Sequence, residues 1–338
     1  MSDRGILVLG GQDIAALLAG REAELIDIVG RAYLAHRDGK SSLPHSSFLR
    51  FPDNDRDRII ALPAFLADGF DLAGLKWVSS FPGNLQKGFP RASAVLILND
   101  AHNGRPVAIL EGSLISARRT AASAALGARV LLGGQMPATV GLIGTGLINQ
   151  EIAQFLGVAI GAKRFLLHDL HESRARAFAA KLGSMPGKIE AEVAESTEEV
   201  LAACPLVSFA TTAAHPHIHD LSACTAGAVI LHISLRDIGP EAILACDNIV
   251  DDVDHVCRER TSVHLAEQAS GGRDFIRCTL ADILKGNEAA RRGDGSITVF
   301  SPFGLGILDI AVGELVLRTA RVAGRGTEIA SFLETSSD

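Results

Sequence analysis

The chain has 338 residues, of which 47% are hydrophobic and 21% are charged, and its formal net charge is −7. This length and composition predict a globular protein of one large or two ordinary domains and exclude a disordered chain. The negative charge, the lack of a basic run and the aromatic content of only 5% argue against nucleic acid as a partner.

Cysteine usage and apolar runs indicate a cytoplasmic protein that spans no membrane. The five cysteines are scattered without a CxxC pair, which is typical of reduced, mostly buried thiols. The first apolar run, Ile6–Leu9, is too short for the core of a signal peptide. The stretch Val130–Gln150 carries no charge, but its glycines and Pro137 disfavour a membrane span.

The first third of the chain is predicted to be mostly antiparallel strand behind two helices. Apolar periodicity predicts a strand at Ile6–Leu9 and helices at Gln12–Ala19 and Glu22–Arg37. Five strand-like segments follow, at Ser46–Phe51, Arg58–Leu62, Leu72–Val78, Ser93–Leu98 and Pro106–Glu111. Leu114–Leu132 is then predicted as a long alanine-rich helix.

From Thr139 onward, predicted strands alternate with predicted helices. The strands are Thr139–Ile143, Arg164–His168, Glu190–Val193, Leu206–Ala210, Val229–Ile233 and Asn248–Val250. A further strand at Ser296–Phe300 and a last helix at Gly306–Val322 follow. This alternation predicts an α/β fold with a Rossmann-type, doubly wound parallel sheet.

The change of pattern predicts two domains. Residues 1–120 would form an α+β substrate-binding and dimerisation domain of ordinary size, and residues 121–305 the Rossmann domain. We expect the C-terminal helical segment 306–330 to pack back on the first domain. The polar tail Glu334–Asp338 is predicted to be disordered.

The segment TVGLIGTGLINQE, residues 139–151, predicts a dinucleotide site. A buried strand, a glycine turn and a helix in this order point backbone N–H groups and a positive helix end at a pyrophosphate. Asp169 stands 23 residues after Gly146, close to the position of the acid that holds the ribose hydroxyls. The predicted cofactor-binding residues are Gly144, Thr145, Gly146, Leu147, Ile148 and Asp169, with Thr211 and Thr212 near the nicotinamide end.

One feature offers an alternative to a dinucleotide site, and another indicates which dinucleotide would bind. Asn149 occupies the third position of the fingerprint, where glycine or alanine is usual, so a plain turn of a parallel sheet is the alternative. Asp169 would repel a 2′-phosphate and no arginine immediately follows it, which favours NAD over NADP, although Arg174 lies near.

Cations at two places suggest a site for a carboxylate. Lys76 lies in an apolar strand, where its ammonium group needs a carboxylate from the protein or a substrate, unless it points to solvent. Arg118 and Arg119 open the alanine-rich helix, where they could clamp a carboxylate or form a solvated helix start. Trp77, the single tryptophan, is expected in the core.

Asp237 ends the polar cluster LHISLRD, which follows an apolar strand. Doubly wound folds bind ligands at this edge of the sheet, so Asp237 is a candidate general base, with a helix N-cap as the other role. The alternating residues His215, His217 and His219 could share one side of an extended segment. No cysteine or HExxH pattern accompanies them, and we predict no metal site.

Four motifs together resemble the ornithine cyclodeaminase/mu-crystallin family. They are GLKWVSSFPGN (74–84), ARRTAA (117–122), GLIGTG (141–146) and SPFGLGILDIAVG (301–313). Two more, SLPHSSFLRFP (42–52) and LHISLRDIGPE (231–241), look most like one branch of that family. Its dehydrogenases act on N-(2-amino-2-carboxyethyl)-L-glutamate to make 2,3-diaminopropionate, a siderophore or antibiotic precursor.

The resemblance implies a homodimer with NAD as cofactor and a small, amino-acid-derived substrate. It implies that Lys76 and Arg119 hold the substrate carboxylate and that Asp237 is the general base, which makes Lys76 and Asp237 the predicted catalytic residues. The family's other substrate arginine is best placed at Arg50. The branch substrate carries three carboxylates, so we add Arg91 as a further substrate-binding residue, with a surface-loop arginine as the alternative.

The reaction expected from this resemblance is an oxidative cleavage. NAD takes a hydride from the glutamate Cα beside the amine, Asp237 removes the amine proton, and water hydrolyses the imine to 2-oxoglutarate and L-2,3-diaminopropionate. Ornithine cyclodeaminase, ketimine reductase and alanine dehydrogenase share this chemistry and are alternatives within the family. A non-catalytic NAD(P)H-binding protein like mu-crystallin is the alternative of another class.

Overall fold

The structure is a computed structural model and describes residues 5–185 and 187–332. The predicted disordered tail Glu334–Asp338 lies outside the described residues. The chain divides into two compact units. The first unit contains the described parts of Met1–Arg119 and Leu305–Asp338, and the second unit is Thr120–Gly304.

The strands, in chain order, are β1 (Ile6–Leu9), β2 (Ser41–Ser42), β3 (Ser47–Phe51), β4 (Asn54–Leu66), β5 (Leu72–Ser80), β6 (Ala92–Asp100), β7 (Pro106–Glu111), β8 (Val140–Ile143), β9 (Arg164–His168), β10 (Glu190–Val193), β11 (Leu206–Phe209), β12 (Val229–His232), β13 (Asp247–Val250), β14 (Ile276–Thr279), β15 (Thr298–Ser301) and β16 (Thr327–Ile329).

The α-helices are α1 (Gly11–Leu18), α2 (Glu22–Arg37), α3 (Gly112–Leu131), α4 (Leu147–Ile160), α5 (Glu172–Gly183), α6 (Thr197–Ala203), α7 (Pro240–Leu244), α8 (Val253–Val256), α9 (Ser262–Ser270), α10 (Leu280–Leu284) and α11 (Gly306–Ala323), with a 3-10 helix at Pro82–Lys87.

The first unit is built on a largely antiparallel sheet with the strand order β16-β1-β7-β6-β5-β4-β2, in which β3 also pairs with β4. Helix α11 packs on α2, β4, β5 and β6. This approach is close, because a Cβ at Gly313 would lie 2.7 Å from a methyl carbon of Leu96. Helix α11 therefore covers one face of the sheet, which is lined by buried side chains such as Ala64 and Leu98.

The opposite face of this sheet is apolar and partly exposed. Trp77 is 40% exposed and pairs across the strands with Val95, which is 41% exposed. Our prediction that Trp77 lies in the core is wrong. Successive side chains of a strand point to opposite faces, so the burial of Lys76 turns Trp77 outward.

The second unit is a parallel sheet with the order β10-β9-β8-β11-β12-β15-β13-β14. The chain starts at β8, moves outward through β9 and β10, and then returns to β11 on the other side of β8. This reversal is the switch point of a doubly wound sheet, and the predicted α/β fold class is confirmed. The carboxyl ends of β8 and β11 flank the crevice in which such folds bind ligands.

No helix within the described ranges is long and apolar enough to cross a membrane. The uncharged stretch Val130–Gln150 contains the end of α3, strand β8 and the start of α4. The five cysteines are free thiols, four of them buried and Cys224 half-buried. Burial raises the pKa of the Cys204 thiol to about 11, so that it stays protonated at neutral pH.

Candidate functional site

A buried charged cluster in the first unit contains Lys76 from β5, Arg119 from α3 and Asp309 from α11. The Nζ atom of Lys76 lies 2.7 Å from Oδ2 of Asp309 and donates to Oγ of Ser116 at 3.1 Å. The Nε of Arg119 donates to Oδ1 of Asp309 at 3.2 Å. Lys76 is 3% exposed, Arg119 7% and Asp309 0%. The alternatives of a solvent-facing lysine and a solvated helix start are therefore wrong.

This cluster carries more positive than negative charge. Two cations share one carboxylate, and among the described residues no other acid pairs with Lys76 or Arg119. Burial, and then repulsion by Arg119, lower the pKa of Lys76 to about 8 against the opposing attraction of Asp309. A second carboxylate entering the cluster would balance the charge, so the arrangement can bind a carboxylate ligand.

Arg118 has a different role from its neighbour. Its guanidinium group donates to Oε1 of Glu22 at 2.9 Å and to the backbone carbonyl of Leu18. Consecutive helix residues project about 100° apart, so only Arg119 of the pair contacts Asp309 and belongs to the Lys76 cluster. Arg118 thus ties the start of α3 to the segment that joins α1 and α2.

The two other predicted substrate arginines lie near the ends of β3 and β5. The Nη1 of Arg91 donates to Oγ of Ser80 at 2.8 Å, and Arg91 is half-buried. Arg50 is exposed, and its guanidinium carbon lies 5.6 Å from the ring centroid of Phe48. Arg50 pairs with Arg58, and Arg58 in turn pairs with Ser80 across adjacent strands.

The predicted glycine turn of the second unit follows β8 directly. Gly144 has φ of +87°, and a Cβ there would lie 2.6 Å from the carbonyl oxygen of Ala210. Helix α4 begins at Leu147 after the extended Gly146, which has no side chain to cap it. The first N–H groups of α4 are therefore available to an anion.

Asp169 lies against this turn. Its Oδ2 accepts hydrogen bonds from the backbone N–H of Thr145 at 2.9 Å and from the Thr145 hydroxyl at 2.8 Å. Its Oδ1 accepts from the backbone N–H of His171 at 3.0 Å. Partial burial would raise the pKa of Asp169, but these hydrogen bonds outweigh it and hold the pKa below its ordinary value. The carboxylate is thus ionised and fixed next to the glycine turn.

Asn149 explains the departure at the third fingerprint position. Its Nδ2 donates to the carbonyl oxygens of Ile143 at 3.0 Å and Gly144 at 2.7 Å, and its Oδ1 accepts from the Ser208 hydroxyl at 2.8 Å. Asn149 is fully buried. The amide therefore joins β8, the turn and β11, a role that neither glycine nor alanine could perform.

Gly144→Ala should destabilise the protein by about 2–4 kcal/mol, because the alanine needs a left-handed backbone and collides with a carbonyl. Chemical denaturation of the purified protein measures this change. Gly146→Ala is the matched control, since a Cβ there meets nothing within 4 Å, and it should unfold like the parent protein. Equal stability of the two variants would contradict this account of the turn.

Asp237 follows β12 and is fully buried. Its Oδ1 accepts a hydrogen bond from the Thr211 hydroxyl, and its Oδ2 accepts one from the Ser234 hydroxyl. Burial would raise the pKa of Asp237, but His232 and the two hydroxyls lower it below its ordinary value. The N-cap of α7 is Gly239, so the alternative role of Asp237 as that N-cap is wrong.

His232 is a member of this group that the sequence interpretation missed. It is fully buried at the end of β12. Its Nε2 accepts a hydrogen bond from the backbone N–H of Asp237 at 3.2 Å and lies 3.6 Å from Oδ2 of the same residue. Its Nδ1 lies 3.3 Å from Oγ of Ser301, at the end of β15. The imidazole thus links Asp237 to the neighbouring strand. A histidine inside the apolar run of LHIS was the available signal.

The structure brings some predicted residues together and leaves others apart. In the second unit, Gly144, Thr145, Gly146 and Asp169 form one group, and Thr211 joins Asp237 in another. Thr212, His215, His217 and His219 are exposed, and His219 pairs with Glu241. Within the described part of the chain, no group of three His, Cys, Asp or Glu residues is placed to hold a metal ion.

Known proteins of similar sequence and structure place these features in a family. A curated relative from Staphylococcus aureus, N-((2S)-2-amino-2-carboxyethyl)-L-glutamate dehydrogenase, is 28% identical over 335 residues and covers 97% of this chain and 99% of its own length. The Thermococcus litoralis Delta(1)-pyrroline-2-carboxylate reductase, solved with NADH and L-proline, superposes with a TM-score of 0.89 at 26% identity, over 95% of this chain and 99% of that one.

An archaeal alanine dehydrogenase dimer with bound NAD superposes with a TM-score of 0.86 at 25% identity, covering 96% of this chain and 99% of its own. A family profile described as the ornithine cyclodeaminase/mu-crystallin family matches residues 13–323. This match spans most of both units and includes the Lys76 cluster, the glycine turn and Asp237. The chain therefore belongs to the ornithine cyclodeaminase/mu-crystallin family.

Proposed function

We propose that this protein is an NAD-dependent dehydrogenase that cleaves N-(2-amino-2-carboxyethyl)-L-glutamate oxidatively to L-2,3-diaminopropionate and 2-oxoglutarate. The observation that carries the proposal is the excess positive charge of the buried cluster around Lys76 and Arg119, which suits a carboxylate-rich substrate. The full-length similarity to the S. aureus dehydrogenase supports the choice of substrate within the family.

The residues of the second unit fit a dinucleotide. The Gly144 turn leaves room for no side chain, and the N–H groups at the start of α4 can bind a pyrophosphate between Gly146 and Ile148. The ionised Asp169 suits the ribose hydroxyls of NAD and would repel a 2′-phosphate. When bound, NAD supplies the hydride acceptor for the substrate carbon that carries the amine. We place Thr211 and Thr212 at its nicotinamide end.

Lys76 and Arg119 would hold the carboxylate next to the reacting amine. Asp309 fixes both cations from one side, so that their remaining N–H groups are oriented before the substrate arrives. Since this carboxylate keeps its charge through the reaction, the cluster acts mainly by positioning the substrate.

Asp237 would accept the proton that the amine loses as its carbon is oxidised. This carboxyl is ionised at neutral pH, so its oxygens can receive a proton, while the hydrogen bonds that lower its pKa make it a weak base in the free protein. Its hydrogen bonds to Thr211 and Ser234 fix the carboxylate in place, and His232 accepts a hydrogen bond from the backbone N–H of Asp237. Water then adds to the imine of the substrate, and collapse of that adduct releases the two products.

We also propose that the protein is a homodimer. One face of the sheet in the first unit exposes large apolar side chains on neighbouring strands, among them Leu49, Trp77 and Val95. Large exposed apolar faces of soluble proteins are typical of protein interfaces. The archaeal alanine dehydrogenase of similar structure was solved as a dimer.

The proposal is tested by mixing the purified protein with NAD and synthetic N-(2-amino-2-carboxyethyl)-L-glutamate and following the absorbance of NADH. L-ornithine and L-alanine are assayed in parallel. NADH formed only with the conjugate, together with an equal amount of 2-oxoglutarate, supports the proposal. Proline from ornithine, or NADH from alanine, would overturn the substrate assignment. NADH binding without turnover of any substrate would favour the non-catalytic alternative.

The titration of Lys76 predicts how product affinity depends on pH. The ammonium form of Lys76 attracts a carboxylate and the neutral amine does not. The affinity for 2-oxoglutarate should therefore fall above a pH of about 8, and the slope should approach a tenfold loss for each further pH unit. The carboxylates of 2-oxoglutarate do not titrate in this range. Calorimetric titration of the NADH-loaded protein measures the affinity. The Lys76→Met variant should bind 2-oxoglutarate weakly, and its affinity should not decline above this pH. If the affinity of the variant declined as it does in the parent protein, another group would be responsible.

A further inference from the structure

A row of arginines lies on the sheet of the first unit, apart from the Lys76 cluster. Arg50 of β3 pairs with Arg58 of β4, and Arg58 pairs with Ser80 of β5. Arg91, next to the start of β6, donates to the Ser80 hydroxyl at 2.8 Å. Neighbouring strands are about 5 Å apart, so these side chains follow one another across the end of four strands.

This row lies on the same face of the sheet as Lys76. Ser80 and Lys76 are four residues apart on β5, and residues at even spacing in a strand share a face. At a rise of about 3.3 Å per residue, the two positions are separated by about 13 Å along the strand. The long side chains of lysine and arginine shorten the distance between their charged groups. A ligand several bonds long could therefore contact both Lys76 and the arginine row.

We propose that Arg58 and Arg91, with Ser80 and Arg50, form a second carboxylate-binding subsite, which selects substrates bearing a carboxylate distal to the reacting amine. This inference rests on the proposed function and assigns Arg58 a role in substrate selection. Guanidinium groups can bind a carboxylate through two parallel hydrogen bonds, which gives geometric selectivity as well as affinity. The γ-carboxylate of the glutamate moiety is the matching group.

The charges of the row support an anionic ligand. Arg91 is half-buried, and among the described residues it pairs with no carboxylate and donates instead to the neutral hydroxyl of Ser80. Burial, and then repulsion by Arg58, lower the pKa of Arg91. An anion between these two guanidinium groups would relieve that repulsion. L-ornithine and L-alanine have no distal carboxylate, so the subsite would distinguish the conjugate from them.

The test measures binding and is independent of turnover. The NADH-loaded protein is titrated calorimetrically with N-(2-amino-2-carboxyethyl)-L-glutamate and with the glutamine analogue, whose γ-carboxamide is neutral. We expect the parent protein to bind the carboxylate roughly tenfold to a hundredfold more tightly than the carboxamide. Arg58→Gln and Arg91→Gln should each lose most of that preference, and Arg91→Lys should keep part of it.

Arg321→Gln is the matched control, because Arg321 is an exposed arginine on α11 and does not belong to the strands that carry the row. It should keep the preference of the parent protein. Thermal unfolding and NADH affinity verify that each variant is folded. The subsite is overturned if the parent shows no preference, or if the preference survives in both Arg58→Gln and Arg91→Gln. The proposed function fails separately, if the conjugate and NAD yield no 2-oxoglutarate while the binding preference holds.

Discussion

Asp309→Asn should lower the free energy of unfolding by about 3–5 kcal/mol, because it leaves two buried cations without their shared counter-charge. Asp309 is fully buried and contacts both Lys76 and Arg119. The asparagine preserves the volume of the side chain, so the loss measures charge rather than packing. Urea denaturation of the parent and the variant gives the difference.

A second substitution separates charge balance from other effects. Lys76→Met combined with Asp309→Asn leaves Arg119 as the single charge, which restores the net charge that the cluster has in the parent protein. The double variant should therefore be more stable than Asp309→Asn alone, and the double-mutant cycle should show coupling between the two residues. Both variants should lose substrate turnover. Additive changes in stability would contradict the shared-carboxylate arrangement.

The doubly wound unit could be predicted well because its signals are local. The strand-turn-helix order around Gly144 and the position of Asp169 follow from a few consecutive residues, and the structure joins them directly through Thr145. The alternation of strands and helices likewise predicted the parallel sheet. Even Asn149, which departs from the fingerprint, preserves the turn through hydrogen bonds that need its amide.

The charged cluster could be predicted only in part because it is formed by distant segments. The sequence could not decide whether Lys76 is buried, because its partner Asp309 lies far away in the sequence, on the last helix of the chain. An aspartate within the apolar segment GILDIAV was a signal that a buried cation lay opposite it. Trp77 was misplaced for the same reason, because strand alternation becomes informative only when one neighbour is known to be buried.

The short elements between β13 and β15 were not predicted. Helices α8, α9 and α10 have between four and nine residues, too few for a clear apolar period. Their positions are set instead by capping groups such as Thr279, whose hydroxyl accepts from the N–H of Asp282 in a capping box. Such caps are common in loops too, so they identify a helix only when its packing is known.

Asp237→Asn should reduce substrate turnover by about a hundredfold to ten-thousandfold and leave NADH affinity close to that of the parent protein. The amide cannot accept a proton from the amine, although its oxygen can still accept the Thr211 hydroxyl. Steady-state rates with the glutamate conjugate and NADH fluorescence titration measure the two quantities. Glu241→Gln is the matched control, because this acid is exposed and pairs only with His219 among the described residues.

The pattern of rates distinguishes a base from a structural carboxylate. If Asp237 only oriented the loop after β12, Asp237→Asn would change the Michaelis constant and thermal stability while the maximal rate stayed near that of Glu241→Gln. If Asp237 is the base, the maximal rate falls and NADH affinity does not. His232→Gln would then weaken turnover less than Asp237→Asn, since it removes the hydrogen bond from the backbone N–H of Asp237 and leaves the proton acceptor itself in place. Unchanged turnover in Asp237→Asn would remove it as the base.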